Sequence, residues 1–109
     1  MNKLITDIIS SDEFYEIIKG ETKPVVVAFK ASWCTPCKIL STVLYEFKKE
    51  VGERIKIITV DIDENEKLIE KLSIRSVPTV SVYYGGELKE KTVGLTTKAQ
   101  LSYMVVKYI

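Results

Sequence analysis

The sequence predicts an α/β domain in which a central mixed sheet of four or five strands is flanked by four helices. Residues 25–29 form a β-branched apolar run, typical of a strand buried on both faces. A strand, a helix and a strand follow one another between residues 25 and 62, which makes those two strands parallel. Gly85 and Gly86 separate two further strand patterns and predict an antiparallel hairpin.

The first half of the chain supplies the central strand and two helices. Residues 4–9 are short and mixed, and we interpret them as a brief edge strand. Ser10 and Glu13 have capping-box spacing, which predicts a first helix over 11–20. Apolar residues recurring at three and four positions predict a second helix over 35–51.

The second half supplies the rest of the sheet and two more helices. Strands are predicted over 55–62, 79–84 and 88–93. A third helix is expected over 66–72, with Asp63 or Asn65 as its cap. After Gly94, the capping-box spacing of Thr97 and Gln100 and an apolar stripe predict a last helix.

Composition narrows the classes of function. The 109 residues fit one domain, 1–109, and 46% hydrophobic residues suffice for one core. The 16 basic and 15 acidic residues are interleaved, which argues against nucleic acid or a membrane surface as the main partner. The absence of histidine removes a cysteine-histidine hydrolase and a four-ligand zinc site within one chain.

Two further patterns bear on location. The amino terminus lacks the unbroken apolar run of a signal peptide, and no segment has the length of apolar sequence that spans a membrane. We therefore expect the chain in the cytosol. Thiols there are kept reduced, and a close cysteine pair is more often catalytic or metal-binding than structural.

The chemistry of the chain is concentrated in residues 33–38, Trp-Cys-Thr-Pro-Cys-Lys, which hold both cysteines and the single tryptophan. Two thiols separated by two residues at the start of a helix can close into a small disulfide and open again. We interpret Cys34 and Cys37 as a redox dithiol. Two alternatives remain: a structural disulfide, and a metal or iron-sulfur site shared by two copies of the chain.

Four landmarks in register resemble the thioredoxin family over nearly the full length of the chain. They are the 33–38 motif after an apolar strand, Val77-Pro78-Thr79 some forty residues later, the Gly85-Gly86 hairpin turn, and Val93-Gly94 before the last helix. The resemblance implies the thioredoxin fold. It also implies a protein-disulfide reductase without a bound cofactor or metal, which acts on disulfide-containing clients, is recharged by a thioredoxin reductase, and is expected to be a monomer.

The two cysteines are expected to differ in role. Cys34, at the positive end of the helix, should be the attacking thiolate. Cys37, one turn later and more covered, should resolve the mixed disulfide. Lys38 and Lys30 add positive charge nearby. A relative that works as an oxidant or isomerase, and a binding module with incidental cysteines, are the rival interpretations.

The resemblance also implies a substrate groove beside the dithiol. Trp33 would shield the thiols and contact substrate, although large aromatic residues also pack in cores. Pro78 would follow a cis peptide bond and let the backbone of Val77 pair with an extended substrate, although it could be a strand-edge proline. Gly94 would leave room for that substrate or simply form a turn. Ile62 and Ile74 would extend the contact patch or belong to the core.

Three positions depart from the family pattern. Most thioredoxins carry a buried aspartate in the central strand, where this chain has Ala28, and often a lysine nearby, where it has Thr59. The proton of Cys37 then needs another acceptor, and we expect water or the regenerated Cys34 thiolate. Thr35 replaces the usual glycine. We treat Thr35, Pro36, Lys38 and Ala28 as residues that modulate the dithiol.

Overall fold

The computed structural model describes residues 4–8 and 10–109. Within these residues, five strands and four helices follow one another: β1 Ile5–Ile8, α1 Ser11–Gly20, β2 Val25–Lys30, α2 Thr35–Val51, β3 Lys56–Asp61, α3 Glu66–Leu72, β4 Thr79–Tyr84, β5 Glu87–Val93 and α4 Lys98–Val105. Short 3-10 turns, Gly52–Arg54 and Val106–Tyr108, follow α2 and α4. The predicted α/β class is confirmed.

The five strands form one mixed sheet in the order β1-β3-β2-β4-β5. β3 is parallel to both β1 and β2, whereas β4 is antiparallel to β2 and β5. β2 therefore occupies the centre, as its unbroken apolar sequence predicted. The β4–β5 hairpin turns at Gly85 and Gly86, whose φ angles of 64° and 82° lie in the region that glycine adopts without strain.

The alternation of side chains along the strands divides the core into two layers. On one face, Val26 and Ala28 pack with Leu40 and Leu44 of α2 and with Leu101 of α4. On the other face, the side chains belong to β2, α1 and α3: Val25, Val27, Phe29, Phe14, Ile18 and Leu68. Because odd and even residues of β2 point to opposite faces, both sides of the sheet need a helical cover.

Helix bounds agree with the prediction for α1, α2 and α3, whereas strand ends and one cap differ. β1 begins at Ile5, one residue after the predicted start, and the predicted end at Ile9 lies outside the described residues. β3 ends at Asp61 because the carboxylate of Asp61 accepts the amide N–H groups of Asp63 and Glu64, which turns the chain. Asn65 precedes α3 without a side-chain cap, since its Nδ2 donates to the Asp61 carbonyl instead.

Lys48 ties the end of α2 to the start of β3. Its Nζ donates to the carbonyl oxygens of Gly52, at 2.8 Å, and Ile55, at 2.6 Å. Burial lowers the pKa of this lysine from its ordinary value, an effect that nearby Glu53 opposes. The two hydrogen bonds satisfy carbonyl groups that the helix end and the turn leave free.

Candidate active site

The 33–38 motif lies where the central strand gives way to α2. Cys34 is the N-cap residue of this helix, and its amide donates to the carbonyl of Ala31 at 3.1 Å. Pro36 falls in the first turn, where its missing N–H costs no hydrogen bond. Cys34 therefore lies at the N-terminus of α2, the end of the helix that carries free N–H groups and positive dipole charge.

The two cysteines form a disulfide, with their Cα atoms 5.3 Å apart. The amide N–H of Cys37 also donates to Sγ of Cys34 at 3.2 Å. A backbone donor in this position stabilises negative charge on that sulfur, which favours the thiolate when the disulfide is reduced. The arrangement distinguishes the two sulfurs chemically, because Sγ of Cys34 receives this hydrogen bond from the helix.

Both cysteines are buried in the disulfide state, with exposures of 4% for Cys34 and 6% for Cys37. The expectation that Cys37 is the more covered of the two is therefore wrong for this state. Ala31 completes their cluster, and the half-buried side chains of Ile62 and Val77 pack against it. Cys37 lines two neighbouring surface clefts, whereas Cys34 lines neither of them.

Trp33 is 65% exposed, so the core-packing interpretation of this residue is wrong. Its indole Nε1–H donates to the Asp63 carboxylate at 2.8 Å. From its place in the sequence, Asp63 is only a candidate helix cap. Asp63 follows β3, and the 33–38 motif follows β2. Because β2 and β3 are parallel neighbours, both segments lie at the same end of the sheet. This pattern is a sequence signal that could have placed Asp63 beside Trp33.

We expect Asp63→Ala to release the indole of Trp33 while leaving the fold intact. Loss of one exposed hydrogen bond costs about 1 kcal/mol at most, but it frees an aromatic side chain next to the dithiol. Because Trp33 is the single tryptophan of the chain, its steady-state fluorescence anisotropy should fall and its emission should shift. Glu64→Gln, at the exposed neighbouring position, is the matched control, and an unchanged Trp33 signal in Asp63→Ala would contradict this role.

The predicted cis peptide bond before Pro78 is confirmed, and the proline precedes β4. The carbonyl of Pro78 accepts the amide N–H of Gly94 at 2.8 Å, so the hairpin places these two residues side by side. Gly94 has a φ angle of 99°, which disfavours any side chain, and open space surrounds the position that a Cβ would occupy. Val77 packs against the cysteine cluster and Pro78 lines the same cleft as Cys37, so both lie beside the dithiol, with Gly94 next to Pro78.

Beneath Cys37, a cleft of about 290 Å³ opens between the sheet and α2. Ala28 and Thr59 form part of its floor, and Asp7 belongs to its lining. Oδ1 of Asp7 accepts hydrogen bonds from the Thr59 hydroxyl and from Nζ of Lys30, the latter at 3.1 Å. The Asp7 carboxylate and the Lys30 ammonium group thus belong to the lining of the cleft, although Ala28 and Thr59 are uncharged.

The remaining predicted residues lie around this centre in different settings. Thr35, Pro36 and Lys38 are exposed on the first turn of α2. Ile62 and Ile74 both pack against the core layer of α1 and α3, and Ile62 also contacts the cysteine cluster. Within residues 4–8 and 10–109, no group of three or more His, Cys, Asp or Glu side chains is arranged to hold a metal. No helix in that part of the chain has the length and apolarity needed to cross a bilayer.

A mixed sheet covered on both faces, with a CxxC disulfide at the start of the helix after its central strand, defines a thiol-disulfide oxidoreductase. The thioredoxin family model matches residues 5–107. The chain belongs to the thioredoxin family, and its cysteine pair makes it a thioredoxin-like disulfide oxidoreductase.

Sequence relatives agree with this assignment. The thioredoxin of Rickettsia typhi is 36% identical over 105 residues, covering 96% of both chains. That of Bacillus subtilis is 39% identical over 85 residues, covering 78% of this chain and 82% of the relative. The chloroplastic M-type thioredoxin of Pisum sativum is 36% identical over 102 residues, covering 94% of this chain but 59% of the longer plant protein.

Solved structures show the same fold. The thioredoxin of Plasmodium falciparum superposes with a TM-score of 0.84 at 33% identity, covering 95% of this chain and 99% of that one. The thioredoxin of Malassezia sympodialis gives a TM-score of 0.85 at 27% identity, with 99% and 96% covered. The predicted thioredoxin fold is therefore confirmed.

Proposed function

We propose that this chain reduces protein disulfides, with Cys34 as the nucleophile and Cys37 as the resolving thiol. The observation that carries the proposal is the hydrogen bond from the Cys37 amide to Sγ of Cys34 at the N-terminus of α2. Of the two cysteines, only Cys34 is the N-cap residue of α2, so the helix favours negative charge on the sulfur of Cys34.

The reaction proceeds in two exchanges. The Cys34 thiolate attacks one sulfur of a client disulfide, whose S–S bond breaks and whose other sulfur leaves as a thiolate. Cys37 then loses its proton and attacks Sγ of Cys34, which forms the Cys34–Cys37 disulfide and releases the second client thiolate. Two electrons pass from the dithiol to the client, and the product is the disulfide state described above.

The client would bind as an extended segment across the surface formed by Trp33, Val77, Pro78 and Gly94. The exposed indole of Trp33 offers apolar contact area with a polar edge already bonded to Asp63. The open space at Gly94 permits close approach of another backbone. Strand-like pairing with the backbone of Val77 would hold the scissile disulfide near Cys34.

The rest of the cycle is also part of the proposal. A thioredoxin reductase would return two electrons to the Cys34–Cys37 disulfide, and no bound cofactor is needed for the exchange itself. We propose that residues 1–109 act as one monomeric thioredoxin domain in the cytosol, with a role in electron transport and redox homeostasis. A reducing compartment suits this activity, because it keeps Cys34 and Cys37 in the dithiol form that donates electrons.

Insulin reduction tests the proposal. With dithiothreitol as electron source, the wild type should precipitate the insulin B chain faster than dithiothreitol alone, as followed by turbidity. The Cys34→Ser, Cys37→Ser double variant should give the rate of dithiothreitol alone. Equal rates for wild type and double variant would overturn the proposal, and retained binding of clients by that double variant would then favour a binding module.

A further inference from the structure

The resolving step requires Cys37 to lose a proton from a position with little access to bulk water. Cys37 exposes only 6% of its surface and lines the cleft between the sheet and α2. A thiol with an ordinary pKa near 8.5 is mostly protonated at neutral pH, and the thiolate is the form that attacks. The rate of resolution therefore depends on where that proton can go.

The cleft beneath Cys37 offers a route. Parallel pairing places Asp7 opposite Thr59, and Thr59 opposite Ala28, so the three side chains form a row on the sheet face that α2 covers. Two strand spacings of about 4.8 Å separate the Asp7 and Ala28 backbones by roughly 10 Å. The volume of about 290 Å³ accommodates several water molecules, which occupy about 30 Å³ each in the liquid.

The end of this row at Asp7 and Thr59 is polar, whereas Ala28 is apolar. The Thr59 hydroxyl and Lys30 Nζ both donate to Oδ1 of Asp7, which holds this carboxylate at the edge of the cleft. Ser41 and Tyr45 of α2 add hydroxyl groups on the opposite wall. The Asp7 side chain is 72% exposed, so a proton that reaches it exchanges readily with bulk solvent.

We propose that this cleft is a water-filled proton route in which Asp7, positioned by Thr59 and Lys30, accepts the proton of Cys37 during resolution. The proposal rests on the proposed function, because it concerns the second exchange of that reaction. The S–H bond of Cys37 breaks, its electron pair forms the bond to Sγ of Cys34, and the client thiolate leaves. The proton passes along water to Asp7 and then to solvent, where the released thiolate can take it up.

Electrostatics alone predicts faster resolution in a variant without the Asp7 carboxylate, whereas the proposal predicts slower resolution. The two explanations can therefore be distinguished by experiment. Removing the negative charge of Asp7 would stabilise a nearby thiolate and thus ease ionisation of Cys37. The loss of a proton acceptor would instead slow resolution. Among the described residues, the other ionisable groups that line the clefts beside Asp7 and Cys37 are Lys30 on β2, Lys38 and Tyr45 on α2, Asp61 on β3 and Glu64 after it. All of them are retained in the variants chosen below.

The measurement uses Ellman's reagent with the reduced, full-length protein in a stopped-flow instrument. Attack by Cys34 releases one coloured thiolate in a phase that accelerates with reagent concentration. Resolution by Cys37 releases the second in a phase independent of reagent concentration, because it is intramolecular. Absence of the first phase in the wild type would contradict the proposed function, whereas the rate of the second phase reports on the resolving step.

Asp7→Asn should slow the second phase by about tenfold at pH 7, less than the roughly hundredfold effect of a base in direct contact. The difference from wild type should shrink above about pH 9, where the thiol ionises without help. Added imidazole should accelerate the second phase of Asp7→Asn more than that of wild type. Asp7→Glu should restore the rate, and Glu16→Gln, an equal charge change on the exposed surface of α1, should match wild type.

An Asp7→Asn variant whose second phase is as fast as or faster than that of wild type would overturn the proposal. So would a slowing that is the same at every pH and insensitive to imidazole, since that pattern indicates a structural effect.

Discussion

Cys37→Ser is expected to remain joined to its client by a disulfide, whereas Cys34→Ser should form no such adduct. Serine at position 37 cannot attack Sγ of Cys34, so the reaction stops after the first exchange. Serine at position 34 removes the nucleophile that the helix N-terminus and the Cys37 amide favour. Insulin reduction by both variants should fall to the rate of dithiothreitol alone.

Non-reducing electrophoresis and intact mass measurement after incubation with oxidised insulin distinguish the two roles. The adduct of Cys37→Ser should disappear on addition of dithiothreitol, which shows that it is a disulfide. Each single variant is the other's control, because both lack the internal disulfide and differ only in which sulfur remains. An adduct formed by Cys34→Ser and not by Cys37→Ser would reverse the assignment of nucleophile and resolving thiol.

Ala28→Asp is expected to destabilise the oxidised protein and to raise the pKa of Cys34 in the reduced one. Ala28 is 3% exposed, and a carboxylate there loses hydration beside Cys37. Lys30, the nearest cation on the same face of β2, is already paired with Asp7. We expect the free energy of unfolding to fall by about 2 kcal/mol, the order found for buried polar groups without partners.

The pH dependence of this loss follows from the sign of the shift. Burial raises the pKa of the introduced carboxyl in the folded state above its value in the unfolded chain. The folded protein then binds more protons than the unfolded one between these two values, so the free energy of unfolding falls as pH rises through them. The penalty should therefore be small near pH 4 and fully present at neutral pH.

Ala28→Asn has nearly the same shape without the charge, so its effect should not vary over this pH range. Urea unfolding at several pH values measures stability, and thiolate absorbance at 240 nm against pH measures the pKa of Cys34. A stability loss that is equal for both variants would assign the effect to side-chain volume. A pKa of Cys34 that stays constant or falls in Ala28→Asp would show that position 28 does not interact with the dithiol as described.

Local sequence signals predicted several features of the active site. Cys34 is the N-cap of α2 and Pro36 lies in its first turn, as the spacing and the helix-start pattern predicted. The cis bond before Pro78 and its pairing with Gly94 agree with the groove implied by the family landmarks. The sequence did not determine that the indole of Trp33 is exposed, because an aromatic residue near a buried strand can lie in the core or on the surface.

Local sequence signals did not predict the contacts of Asp7 and Asp63. Neither residue belongs to a motif, and each gains its role through a partner on another strand or loop, Thr59 in one case and Trp33 in the other. β1 has only four residues, and a shift of one position in its pairing with β3 would turn Asp7 to the opposite face. No local pattern determines that register.

By itself, the sequence of this protein determined the order of its helices and strands, the place of the dithiol and the family to which the chain belongs. These properties depend on short-range periodicity, capping and turn residues, which neighbouring positions encode. Only the tertiary structure decided that the space beside Ala28 is an open cleft with Asp7, Thr59 and Lys30 along its edge. Contacts between three separate strands create that cleft, so its chemistry follows from their register in the sheet.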